Sequence, residues 1–201
     1  HKVVTPFSVF IRFVAPERFA NREVLYVRGA NDGDLIARQG GPKNPNLTLQ
    51  LKPTSPLAMD GNRYPITDIG VLQLAKLVTG VLETELENQR GKVTIYRNAK
   101  LYGRSCTPFR LTHTERYPGS LHQRSEMLVD DEMNIPVYFA SYGWPRREGG
   151  KPVLLEEYAY QNFELNIGLT DEDFERTNPN YHFKLPDTIS NKGDFAEANG
   201  N

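Results

Sequence analysis

Two histidines, a single cysteine and a few runs of carboxylates are the residues of this chain whose types could do chemistry. His113 and His122 flank the turn Tyr117-Pro118-Gly119, with Glu115 and Glu126 close by in sequence. Imidazole and carboxylate at that spacing are ligand types for zinc, but a zinc site needs a fixed third ligand and usually a fourth. None is set by the spacing, so the expectation is two polar residues on the wet face of an antiparallel pair, and no metal site. Cys106 would be a nucleophile only beside a base such as His113 or His122, and no local signature places one there. A lone cysteine in a strand reads instead as a small buried hydrophobe. Asp130-Asp131-Glu132 lacks the alternating oxygen ligands of a calcium loop and reads as a solvated hairpin turn. Asp171, Glu172, Asp173 and Glu175 suit the first turn of a short helix capped by Thr170, where carboxylates meet the positive end of the helix dipole. Ser105 and Ser141 lack a Gly-x-Ser-x-Gly elbow, and neither Gly29 to Gly33 nor Gly40-Gly41 precedes a phosphate-cradling helix. No catalytic residue and no cofactor is therefore expected.

Those residues must be positioned by short elements. The chain has 201 residues, of which 38% are hydrophobic and 24% charged, enough for one sizeable core. Its 16 glycines and 14 prolines cut it into pieces too short for a helical bundle and favour a β-rich fold. A formal charge of -1 leaves no electrostatic footprint for nucleic acid. No apolar run approaches the roughly 20 residues that span a bilayer. His1 is not a natural start, so a signal segment is presumed removed or missing.

Alternation places Phe7, Val9, Ile11 and Phe13 on one face of a strand between Pro6 and Ala15. Glu23 to Arg28 and Leu35 to Arg38 read as a hairpin around Asn31-Asp32-Gly33, and Leu47, Leu49 and Leu51 mark another strand. One long helix is expected after Pro65, capped by Thr67 or Asp68 and running to about Gln89, with Val71, Leu74, Ala75, Val78 and Leu82 at helical spacing. Ile69, Leu72, Leu77 and Val81 widen its stripe, as in a helix enclosed by sheet. Strands are expected at 93–96, 102–106, 109–114, 121–129, 137–142 and 154–165, and a loose tail at 187–201.

The order of segments carries a resemblance. Pro-Phe-Ser-Val-Phe-Ile-Arg-Phe at 6–13, Arg22 to Val27, Ser55-Pro56-Leu57-Ala58-Met59, the apolar helix, Val129 to Val137, Tyr158 to Asn166 and Leu169 to Phe174 together resemble an uncharacterised bacterial family of exported proteins, a domain of unknown function. More distantly the chain resembles the LolA/LolB-type lipoprotein carriers. The resemblance spans nearly everything up to Phe183. It implies a mainly β fold with one long helix, an α+β domain at 1–186. Its curved antiparallel sheet would form an unclosed half-barrel with the helix packed in the concave side. Phe7, Val9, Ile11, Phe13, Leu49, Leu72, Val78 and Phe139 would line that hydrophobic concavity. The initial helix and strand of the carriers are not matched here.

The expected function is a non-catalytic, extracytoplasmic binding protein of the periplasm or cell envelope, holding a lipid or lipoprotein acyl chain. Two alternatives come from other classes. One is an envelope scaffold or sensor that binds a protein partner through the same sheet, for which the loop Trp144 to Pro152 offers Arg146, Arg147 and Lys151. The other is an enzyme using His113, His122 or Cys106.

Overall fold

The computed structural model describes residues 2–4, 7–88, 90–118, 120 and 122–185. The expected tail at 187–201 and the expected helix end at Gln89 lie outside the described residues. The chain divides into two compact units. One combines the residues up to Thr67 with those from Leu169 onward, and the other runs from Asp68 to Gly168.

The first unit is a five-stranded sheet in sequence order: β1 (Lys2–Val4), β2 (Ser8–Arg12), β3 (Glu23–Val27), β4 (Leu35–Arg38) and β5 (Thr48–Leu51). All its pairings are antiparallel. Phe10, Leu25 and Ile36 face one another along one rung and are buried. A rung of three apolar side chains needs a cover, and the C-terminal segment supplies it. Phe174, Tyr181 and Phe183 pack on that rung, with the Tyr181 ring stacked on Phe10 at 3.8 Å between centroids. The segment enters through a 3-10 turn at Asp171–Phe174, where the Thr170 N–H donates to Asp173 Oδ2 at 2.9 Å. The capped acidic turn expected there is present.

One rung on, Glu23 is 1% exposed. Its carboxylate accepts from Arg12 Nε at 2.9 Å, from the His182 backbone N–H at 2.7 Å and from His182 Nδ1 at 2.8 Å. Burial works to raise this carboxyl, but the hydrogen bonds from His182 and Arg12 outweigh it and hold the group below the ordinary carboxylate range. The C-terminal segment is thus fixed by apolar rings and by one buried charge.

The second unit contains α1 (Val71–Glu87) and a six-stranded antiparallel sheet ordered β11-β10-β9-β8-β6, with β7 also paired to β8. The strands are β6 (Lys92–Ile95), β7 (Ala99–Leu101), β8 (Arg104–Thr112), β9 (His122–Asp130), β10 (Pro136–Gly143) and β11 (Val153–Ala159). Neither sheet closes on itself, which gives the expected mainly β, unclosed architecture with one helix.

Boundaries differ from expectation for local reasons. A 3-10 turn at Ile66–Asp68 precedes α1, and Gly70 at φ +108° separates the two, its carbonyl accepting the Leu74 N–H at 2.9 Å. Tyr102 and Gly103, both at positive φ, form the tight turn between β7 and β8 where a strand was expected. The two strands expected on either side of Pro108 are one. The Pro108 carbonyl accepts the Tyr96 N–H at 2.9 Å just past β6, and its missing N–H, on the same side, coincides with the end of that strand. Strand β11 stops at Ala159, well short of Leu165, before Asn162, Asn166 and Gly168, which all adopt positive φ.

The hairpin joining β9 to β10 is solvated at Asp131 and Glu132, as expected, but not at Asp130. Asp130 is fully buried. It pairs with Arg104, whose second contact is 2.9 Å, and accepts the backbone N–H groups of Glu132 and Met133 at 3.0 and 2.9 Å. The Arg104 hydrogen bonds keep its carboxyl well below the usual range against the opposing effect of burial. The residue looked like surface charge in the sequence because its partner lies 26 positions away.

Candidate functional site

Along α1 the 3.6-residue period brings Val71, Leu74, Val78 and Leu82 to one side. Leu74 and Val78 are buried against Phe139 of β10, flanked by half-buried Leu82, Met127, Tyr158 and Tyr160. Phe139 faces Met127 and Tyr158 directly across its two neighbouring strands, so the three form one apolar rung beneath the helix. Beside that stripe, Leu72 (69% exposed), Leu77 and Val81 stay largely outside. The sheet covers less of this helix than its apolar width demands.

Two residues further along the sheet the same face turns polar. Ser141 stands opposite Ser125 and Glu156, and its Oγ donates to Glu156 Oε1 at 2.8 Å. Tyr158 donates to Glu156 Oε2 at 3.2 Å. On β8, Leu111 faces Ser125, and just past the strand end the His113 N–H donates to the Gln123 carbonyl at 2.8 Å. That bond sets His113 and Gln123 opposite each other, with their side chains on the helix-facing side. The last turn of α1 matches the change. Glu85 Oε2 lies 3.0 Å from His113 Nε2, and Tyr117 donates to Glu85 Oε1 at 2.7 Å. Arg90 lies over the Tyr117 ring at 4.9 Å.

Burial favours a raised Glu85 carboxyl, yet the bonds from Tyr117 and His113 prevail and hold it below the ordinary range. Glu85 is therefore an acceptor, and His113 carries its hydrogen on Nε2. The same bond pushes the Tyr117 hydroxyl upward. His113 is 4% exposed. Its Nδ1 and the Gln123 Oε1 are both buried, and neither has a hydrogen-bond partner among the described residues. Gly91 makes room for Leu111 beside the imidazole: a Cβ there would fall 2.5 Å from Leu111 Cδ1.

The layer thus offers an apolar floor that ends in hydrogen-bonding groups. A register shift in the β9–β10 pairing falls between Arg124 and His122, and His122 stands opposite Gly143. The two histidines do not converge on a metal. Among the described residues no group of three or more His, Cys, Asp or Glu side chains gathers as metal ligands. Cys106 sits seven residues before His113 on β8, roughly 23 Å away at the usual strand rise. Burial pushes its thiol up, and it is 1% exposed.

The eight residues expected to line a concavity fall into both units. Val78 and Phe139 meet beneath α1, and Leu72 is on the outward side of the same helix. Val9 is fully buried, while Phe7, Ile11, Phe13 and Leu49 are half-buried. Val9, Ile11 and Leu49 occupy the sheet face opposite the one covered by the C-terminal segment, by the alternation of β2 and β5. Sequence reasoning missed Glu85, Tyr117 and Gln123. The only available signal was Glu85 at helical spacing from Val78 and Leu82, on the apolar side of an otherwise acidic tail.

Residues 2–183 match the model of a family described as protein of unknown function, DUF1571. The chain belongs to that family. No curated protein matches it. Solved structures similar to this DUF1571 chain include a DUF1329 family protein from Desulfovibrio piger, 14% identical over 84% of this chain and 75% of that one, with a TM-score of 0.34. A putative outer membrane lipoprotein-sorting protein domain from Vibrio parahaemolyticus is 13% identical over 80% of this chain and 58% of its own, with a TM-score of 0.32. A LolA superfamily protein from Nitrosomonas europaea is 15% identical over 80% and 59%, with a TM-score of 0.27. The DUF1571 chain spans less than two thirds of the last two. Among the described residues no helix is long and apolar enough to cross a membrane.

Proposed function

We propose that this DUF1571 chain is a non-catalytic binding protein of the cell envelope that holds the acyl chain of a lipid or lipoprotein between α1 and the six-stranded sheet. One observation carries the reading: Leu82, Met127, Tyr158 and Tyr160 pack around the buried trio Leu74, Val78 and Phe139 yet stay half exposed. An acyl chain laid along them would gain about 0.8 kcal/mol for each methylene taken out of water. The buried titratable groups nearby are engaged in structural pairs, which fits binding better than acid-base chemistry.

A second reading has its own support. Strand β11 is a sheet edge whose Leu154 and Leu155 are exposed, next to the exposed Arg146, Arg147 and Lys151, as a surface for a protein partner would be. Native mass spectrometry of the purified chain, before and after incubation with fatty acids and phospholipids, separates the two. A bound species of lipid mass that is lost in Val78→Asp supports the acyl reading. A bare protein mass under every condition removes it and leaves the partner surface.

A further inference from the structure

Two buried hydrogen-bond acceptors meet no donor at the polar end of the helix-sheet layer. Glu85 holds a hydrogen of His113 on Nε2, so in the neutral imidazole Nδ1 presents only a lone pair. Gln123 stands across the strand pair from it, and its Oε1 is likewise buried and unpartnered among the described residues. Cross-strand partners place their Cβ atoms roughly 5 Å apart. One group carrying O–H or N–H hydrogens can therefore serve both atoms. Leaving an acceptor buried without a donor is costly, so two such atoms side by side mark a place where a donor belongs.

The charges around the pair narrow the class. Glu85 adjoins His113, and Glu156 lies on the same sheet face. Arg90, the cation at this end, is engaged with the Tyr117 ring and the Glu85 charge. A carboxylate or phosphate head would bring a third negative charge and no donor. A neutral head with a hydroxyl or an amide N–H brings what both acceptors lack.

Resting on the acyl-chain reading above, we propose that the polar end of the bound molecule is an uncharged hydrogen-bond donor, a hydroxyl or an amide N–H, captured between His113 Nδ1 and Gln123 Oε1. The chain beyond it lies toward Phe139 and Val78. Glu85 and Tyr117 act as positioning residues, since they set the tautomer and orientation of His113 without touching the ligand.

The test compares four probes of one chain length on the full-length protein: 1-monooleoylglycerol, oleamide, methyl oleate and oleate. The first two carry hydroxyl and amide donors, methyl oleate is neutral without a donor, and oleate is anionic. The expected result is binding of at least one donor probe about tenfold tighter than methyl oleate, with oleate weakest. Which donor probe prevails tells hydroxyl from amide heads. Gln123→Leu should narrow the gap between the donor probes and methyl oleate. Gln123→Met provides the same readout should the leucine variant misfold. Equal binding of all four probes, or an undiminished preference in both variants, overturns the inference and leaves the acyl reading standing. Failure of all four to bind overturns both.

Discussion

In the first unit the apolar rung of Phe10, Leu25 and Ile36 is covered by the chain's own C-terminal segment, whose Phe174, Tyr181 and Phe183 are all buried. In the second, the rung of Phe139, Met127 and Tyr158 is covered by a single helix, and most of its flanking side chains stay half exposed. The first cover is fastened by a fully satisfied carboxylate, Glu23. The second is fastened at one end by Glu85, beside two acceptors that have no donor. The first sheet is filled by its own chain, although Arg38 Nε and Arg176 Nε there are also buried without a hydrogen-bond partner among the described residues, whereas the thinly covered second sheet is where a ligand would complete the packing.

The sharpest way to break this contrast is to cut the fastening of the first unit. Glu23→Ala leaves Arg12 and two His182 donors without their acceptor and is expected to cost about 3 kcal/mol, read from urea denaturation. Hydrogen exchange should locate the loss at residues 174–183. A variant as stable as the parent would mean that the rings alone hold the segment.

Acid should act on the same fastening with a smaller effect. Because the folded Glu23 carboxyl titrates below its unfolded counterpart, its contribution is complete above the unfolded value of about 4.3 and is lost as pH falls through the folded one. The urea midpoint should therefore decline below about pH 4.5, and decline less in Glu23→Gln. Glu85 and Asp130 shift in the same direction, so Trp144 fluorescence is the readout that follows the second unit separately.

The smallest effect is expected on the outward side of α1. Leu77→Gln should change stability by less than about 0.5 kcal/mol, since Leu77 is half exposed. A larger loss in thermal denaturation would show that the helix is enclosed on both sides and that the second unit is as finished as the first.

Where local pattern decides structure, the sequence was legible. Strand β4 falls on Leu35 to Arg38 as alternation predicts, and α1 follows the spacing of Val71, Leu74, Val78 and Leu82. What could not be read are pairings across long stretches of chain. His182 meets Glu23 at a separation of 159 residues, and nothing near either residue announces the other. Glu23, Glu85 and Asp130 look like ordinary surface charges, because a carboxylate reveals its burial only through its partners. Of the candidate site, Val78 came from helical spacing and Phe139 from the resemblance to the carriers, while Gln123 depended on the register of β8 with β9, which alternation alone leaves open.

The first unit is assembled from both ends of the chain, with all of the second encoded between them. During synthesis, strands β2 to β4 emerge early but cannot bury Phe10, Leu25 and Ile36 until Phe183 has been made. The middle of the polypeptide can meanwhile reach its own fold. The part of the protein that is most completely packed at the end is thus the last to be completed, and for more than a hundred residues of elongation its greasiest surface stands open to chaperones and to its neighbours.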